Sequence, residues 1–230
     1  MLEVFPVLNH CALFVDIQET QYNSLLNCIQ AYCKTFQSNE YIFLSGDEVN
    51  FVGIVISGSL ELIKENPAGL KHILDFVGPT QLFGEGIVCT QFRVSPVSVR
   101  VKEPSQILFI PYERILKTCS NSCTFHLQII KNMMMILGEK NQVLNQKIEL
   151  LALKGMREKL ATYLLLESQK NHSLTFQIIP NRNELADFLN VARTSMCREL
   201  SRMKEEKLID YYQNSFRILS KEALGKILIP

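Results

Sequence analysis

The chain has 230 residues, 47% of them hydrophobic and 20% charged, enough apolar material for one large or two modest domains and too much for large-scale disorder. Its formal net charge of +1 hides a division: residues 153–230 carry 13 Lys or Arg against 9 Asp or Glu, net +4, and residues 1–152 carry 11 against 14, net −3. So modest a field excludes nucleic-acid binding by bulk charge and leaves DNA binding to two copies and positioned contacts. No segment approaches the roughly 18 consecutive apolar residues of a membrane span, and MLEVFPVLNH lacks the positive start of a signal peptide, so the protein is expected in the cytoplasm with no membrane partner. Seven cysteines, odd in number and not densely spaced, then read as reduced thiols.

Residues 1–35 are a lead-in, a loose start followed by a helix with Leu25, Leu26 and Ile29 on one side. From Phe36 to about Pro111 the period becomes that of strands: YIFLSGDEV, FVGIVISGSLELI, HILDFV, VSVRVKE and QILFIP are Ile-, Val- and Phe-rich runs broken by Gly, Pro, Asn and Asp. Five such runs, with turn signals at Ser45-Gly46-Asp47 and Asn66-Pro67-Ala68-Gly69, predict an antiparallel barrel or jelly roll.

From about Thr118 to Ala152 the period returns to helix. Met134, Leu137, Asn141, Leu144, Ile148 and Leu151 alternate by 3 and 4, a heptad stripe suited to a two-stranded coiled coil, with Asn141 as the polar residue that fixes register. Packing on its own sheet is the other use of such a stripe. Self-association is the preferred use. Lys154 and Gly155 interrupt the stripe and mark a hinge after Leu153, which gives the expected division 1–118, 119–153 and 154–230.

In the last part, Leu160, Ala161, Leu164 and Leu165 form the inward side of a helix. Pro180 to Ile209 then reads as two short helices joined by a tight turn. The first opens at Asn181, with Glu184 three residues on completing a capping box, and buries Leu185, Ala186 and Leu189. Asn190 and Val191 make the turn. The second helix, from Ala192, buries Met196, Leu200 and Met203 and turns Arg193, Thr194, Cys197, Arg198 and Ser201 outward. An Arg near the N-terminus of such a helix is well placed for base edges in the major groove. Strands LTFQIIP and LIDYYQNSFRIL flank the pair, the second turning at Gln213-Asn214-Ser215 as a wing, and SKEALGKILIP closes the chain as a short helix.

LADFLNVARTSMCREL followed by MKEEKLI resembles the DNA-binding motif of the bacterial cyclic-AMP receptor protein and fumarate-nitrate regulator (Crp/Fnr) superfamily, G-x-[ST]-R-E-[TS]-[VI]-x-R-x-L-x-x-L. The resemblance implies base reading by Arg193 and Arg198 and phosphate contacts by Ser195 and Arg182. Thr194 stands where the family commonly has Glu, and Ala192 where it has a capping Ser or Thr. ISGSLELI, LDFVGPTQLFGE and VSVRVKEPSQILFIP similarly resemble the family's cyclic-nucleotide-binding β-roll, so the likeness covers nearly the whole chain. It implies an α+β fold with an N-terminal β-roll (jelly roll), a long dimerisation helix and a C-terminal winged helix-turn-helix.

Within that β-roll, Gly84 and Glu85 match the pair whose carboxylate holds a ribose in cyclic-nucleotide binders. The Arg-Ser or Arg-Thr pair that holds the cyclic phosphate falls on Ser95 and Pro96, so its Arg is missing, and Arg93 would need a local bulge to replace it. A buried charged hydrogen bond to phosphate is worth about 1.5–3 kcal/mol and has no neutral substitute. Cyclic AMP is therefore not the expected effector. Phe83 and Val97 point to an apolar or weakly acidic molecule, and Asn145 lies where the family's long helix contacts it.

Other constellations have plainer readings. Cys119, Cys123 and His126 share one helical face and are ligand types for zinc or iron, but a structural site takes a fourth ligand, and packing is the preferred reading. Cys11, Cys28 and Cys33 do not reproduce the close cysteine cluster of the family's iron–sulfur sensors. Cys197, beside Arg193 and Arg198, is a candidate redox gate or simply a small side chain near phosphate. Met133, Met134 and Met135 read as pliable interface packing rather than a copper site. With no G-x-S-x-G, Walker loop or H-E-x-x-H, and four His lacking a nucleophile partner, no enzyme activity is expected. The sequence thus predicts a homodimeric transcription regulator that binds a palindromic operator under control of an unidentified small molecule, with no certain cofactor and with RNA polymerase as a further partner. The alternative is a thiol-redox or metal-responsive regulator whose β-roll binds nothing.

Overall fold

The computed structural model describes residues 4–66, 69–117 and 124–228, which divide into two compact units, Met1–Lys140 and Asn141–Pro230. The first unit opens with helices α1 (Phe5–Leu8) and α2 (Glu19–Cys28). This segment is packed from its start rather than loose: Tyr22 takes Phe5 and Phe14 edge-on at 5.4 Å each, and Leu8, Leu13, Leu25 and Leu26 are fully buried. Burying each such side chain contributes about 1.5–3 kcal/mol, enough to hold helices too short to persist alone.

Strands β1 (Tyr32–Phe36), β2 (Tyr41–Phe43), β3 (Phe51–Glu65), β4 (Lys71–Val77), β5 (Leu82–Phe83) and β6 (Ser98–Pro111) form one antiparallel sheet in the order β1-β6-β3-β4, with β2 also on β6 and β5 also on β3. β1 begins four residues earlier than the sequence predicts. Only Phe36 of it is buried, so no alternation betrays it, and it is held by backbone pairing from Tyr32 opposite Phe109 to Phe36 opposite Ser105. VSVRVKE and QILFIP, predicted as two strands, are the single β6. Its Pro104 is tolerated because the register against β3 shifts between Val55 and Leu60, leaving Pro104 outside the pairing. At the same kink Gly58 has φ +86°, and a Cβ there would lie 2.2 Å from Ser105 Oγ. These shifts let two long strands bend, so different stretches of β3 and β6 pair with different neighbours and the sheet rolls around Ile54, Leu60, Val101 and Leu108.

Short helices α3 (Glu85–Val88) and α4 (Tyr112–Leu116) precede α5 (Thr124–Ala152). Ile129, Met133 and Ile136 of α5 belong to the first unit's core, so that unit runs on to Lys140, past the predicted boundary at 118. Of the predicted stripe, Leu137 and Leu151 are half-buried, whereas Met134, Leu144 and Ile148 are 70%, 59% and 64% exposed, and Asn141 is exposed with them.

The second unit contains the end of α5, then α6 (Met156–Lys170), β7 (Thr175–Gln177), α7 (Arg182–Leu189), α8 (Arg193–Glu205), β8 (Ile209–Tyr212), β9 (Ser215–Ile218) and α9 (Lys221–Lys226). The helix break at 153–155 falls where the sequence places the hinge. The three strands pair antiparallel in the order β7-β9-β8. Leu160, Ala161 and Leu164 of α6 meet Leu185, Leu189, Met196, Leu200 and Phe216 in one core.

Candidate nucleic-acid interface and effector cavity

The position of α8 follows from local chemistry. Asn181 caps α7 by accepting from the Asn183 and Glu184 amides at 2.9 and 3.1 Å, while its own amide donates to Glu184 Oε2 at 2.8 Å, the reciprocal box the sequence predicts. Asn190 ends α7 in the left-handed region at φ 51°, a conformation Asn tolerates, and turns the chain into α8. Ala192 occupies the N-cap of α8 and makes no side-chain cap. Met196, Leu200 and Met203 are buried, and Arg193, Thr194, Ser195 and Arg198 are all exposed on the remaining surface. Cys197 is half-buried against the core.

Ion pairs also tie α8 to α6. Arg157 of α6 donates through Nε to Glu199 at 2.5 Å and by a two-nitrogen fork to Glu206 at 2.8 and 2.7 Å. These hydrogen bonds keep the Glu206 carboxyl below the usual range. Lys159, buried, donates to the Leu189 carbonyl at the end of α7 at 3.1 Å. Sequence reasoning missed both residues, since partners 30 to 49 positions away leave no periodic signal.

Arg182, expected to contact phosphate, has partners within its own chain. Its guanidinium lies 5.1 Å from the Tyr211 ring and 4.8 Å from the Phe216 ring, and it donates to the Gln213 carbonyl at the wing turn at 2.8 Å. Burial lowers its pKa from the usual arginine value. It is half-buried and ties α7 to the wing.

In the first unit, β3, β4, β5, α3, the loop before β6 and α5 enclose a cavity of about 380 Å3. Its wall is mainly Phe43, Leu62, Val77, Phe83, Val97 and Val99. Gly84 shapes it, for φ +83° at the start of α3 suits glycine, and a Cβ would crowd the Phe51 carbonyl at 3.0 Å. Glu85 follows, buried, with Oε1 accepting from Lys140 Nζ of α5 at 2.5 Å. Of the predicted effector contacts, Gly84, Glu85 and Val97 line the cavity. Ser95 does not: its hydroxyl donates to the Val97 carbonyl at 2.6 Å. Asn145 is exposed on α5, and Lys140 of the same helix lines the cavity. Arg93 is engaged outside the cavity, donating to Asn50 at 3.2 Å and Glu113 at 3.1 Å and lying over the Tyr112 ring.

Cys119 and Cys123 lie outside the described residues. His126 is buried, its Nδ1 4.0 Å from Cys28 Sγ, and among the described residues no group of three His, Cys, Asp or Glu could hold a metal ion. The Cys11 thiol is pushed up to about 11 by burial, and burial also raises that of Cys33, so neither favours a reactive thiolate.

The cyclic nucleotide-binding domain family matches residues 33–122, and the Crp-like helix-turn-helix domain family matches residues 158–227. The chain belongs to the Crp/Fnr superfamily of transcription regulators. It is similar to the transcriptional activator protein Anr of Pseudomonas aeruginosa, 26% identical over 191 residues that span 81% of this chain and 76% of the relative. Its fold matches that of the Thermus thermophilus catabolite activator protein, with a TM-score of 0.54 at 21% identity over 94% of this chain and 98% of the other. A CooA variant from Carboxydothermus hydrogenoformans matches with a TM-score of 0.59 at 16% identity over 93% and 96%. As a Crp/Fnr protein the chain is a DNA-binding regulator with an effector-type domain rather than an enzyme. Among the described residues no helix is long and apolar enough to cross a membrane.

Proposed function

We propose that the protein acts as a homodimer on a two-fold symmetric operator, and that a small molecule other than cyclic AMP in the β-roll cavity controls its affinity. The observation that carries this reading is α8: a buried stripe fixes the helix, and Arg193, Thr194, Ser195 and Arg198 stand free on its outer surface. Arg193 and Arg198 read bases, Ser195 and Thr194 contact the backbone beside them, and Arg182 positions the wing. Pairing of two copies along α5 is supported by the exposed Met134, Leu144 and Ile148, apolar side chains that water disfavours. The case against cyclic AMP rests on Ser95 and Pro96 in place of the phosphate-binding Arg and on the outward engagement of Arg93. An effector acts only by differential affinity for two states, and about 1.4 kcal/mol shifts the active population tenfold. RNA polymerase is the further partner in this reading.

Fluorescence anisotropy on operator and random duplexes tests the assigned reading residue. Arg193→Ala should cost about 1–3 kcal/mol on the operator and much less on random DNA. Equal losses on both would remove Arg193 from base reading.

A further inference from the structure

Glu85 is nine-tenths buried, with its side chain 7% exposed, and its two oxygens are treated differently. Oε1 accepts from Lys140, whereas Oε2 is buried with no hydrogen-bond partner among the described residues. A buried carboxylate oxygen without a donor is costly, and native proteins rarely leave one so unless something else supplies the hydrogen. The charged groups on the cavity wall are the carboxylates Glu85 and Asp75 and the ammonium Lys140. With the ammonium already paired to Glu85, an entering anion meets uncompensated negative charge, and Arg93, held by Asn50 and Glu113, does not offset it. Apart from Gly84, Gly86 and Thr90, whose hydroxyl donates to the Ile87 carbonyl at 2.7 Å, the rest of the wall is aliphatic and aromatic. At about 30 Å3 per water the cavity's volume corresponds to roughly a dozen water-sized groups.

Resting on the reading that the β-roll binds an effector, we infer that this effector carries no anionic group and is an apolar body of about a dozen heavy atoms with one hydroxyl or ammonium that donates to Glu85 Oε2. The apolar body replaces water against Phe43, Phe83, Val97 and Val99, and the donor completes the half-satisfied carboxylate. An ammonium competes with Lys140 for Glu85, whereas a hydroxyl leaves that pair in place. Occupancy by an ammonium is thereby felt at Lys140, which is a residue of α5.

The test is calorimetric titration of the full chain with three probes that share one apolar body: para-butylbenzylamine, para-butylbenzyl alcohol and para-butylbenzoate, with cyclic AMP beside them. The amine and the alcohol should bind about tenfold or more tightly than the benzoate and cyclic AMP. Glu85→Gln should abolish the preference for the amine. Lys140→Met, a change on the exposed side of the pair, should tighten amine binding and so guards against misfolding of the buried variant. Binding of the benzoate or cyclic AMP as tightly as the amine overturns the ligand class while leaving an effector in the β-roll. Failure of both donors to bind at millimolar concentration, or an unchanged ranking in both variants, also overturns it. Neither result bears on operator selection, which is measured without effector.

Discussion

Arg182 spreads its guanidinium over Tyr211 and Phe216 and donates to the wing carbonyl of Gln213, so its charge serves packing as much as recognition. Removing it as Arg182→Ala should destabilise the second unit by about 1–2 kcal/mol, the sum of a half-buried cation–π contact and a charged hydrogen bond. Arg182→Lys separates this role from a simple phosphate contact. A lysine keeps the charge but not the planar stack, so it should lose DNA affinity nearly as far as alanine does, whereas retained affinity would restore the phosphate role. The sequence marked Arg182 through the family motif, but its partners lie 29 to 34 positions on, where no pattern within one helix reaches. The buried acids give a second prediction at this scale. Cys11 is pushed up to about 11, and Tyr22 and Tyr163 are raised, chiefly by burial. Each is favoured in its neutral form in the folded chain, so its stabilisation is complete below the unfolded pKa and fades as pH rises through the folded one. Cys11 alone should withdraw about 1 kcal/mol by pH 10, and urea melts at pH 8 and 10 should show a smaller fall in Cys11→Ala than in the parent.

Elements whose ends are set by their own residues were legible. The box of Asn181 and Glu184, the turn at Asn190 and the wing turn after Tyr212 appear where the sequence puts them, since capping and turn chemistry act over a few residues. Elements held by remote neighbours were not. β1 shows one buried residue in five, and the first half of α5 carries Ile129, Met133 and Ile136 into the β-roll core, a face hidden beside the more regular heptad stripe. α8 lacks the side-chain cap its family usually has. Ala192→Ser should therefore stabilise the second unit by about 1 kcal/mol, read as a higher urea midpoint with an unchanged slope. No change, or a loss, would mean that the α8 amides are already satisfied elsewhere.

For the molecule as a whole, the sequence conveyed the joining of a β-roll to a winged helix-turn-helix through a long helix, because each part has its own period and Lys154 and Gly155 interrupt the helical stripe before the last part. It did not convey the cavity's polarity: Lys140 lies next to the predicted stripe residue Asn141, and its pairing with Glu85 spans 55 positions. Nor did it show that Leu137 and Leu151 of the stripe are half-buried while Met134, Leu144 and Ile148 are exposed, the exposure on which the proposed pairing of two copies rests. Replacing Leu144 and Ile148 together by Lys should convert a dimer into a monomer by analytical ultracentrifugation, with the helix-turn-helix still folded. A dimer that survives both changes would move the interface off α5.

The most direct measurement is selection of bound duplexes from a random pool by the full chain and by the Leu144→Lys, Ile148→Lys variant. The parent is expected to enrich inverted repeats with half-sites about one helical turn apart, and the variant to lose that symmetry. Enrichment of single half-sites by both proteins, or of no sequence by either, would contradict a pair of α8 helices reading adjacent major grooves.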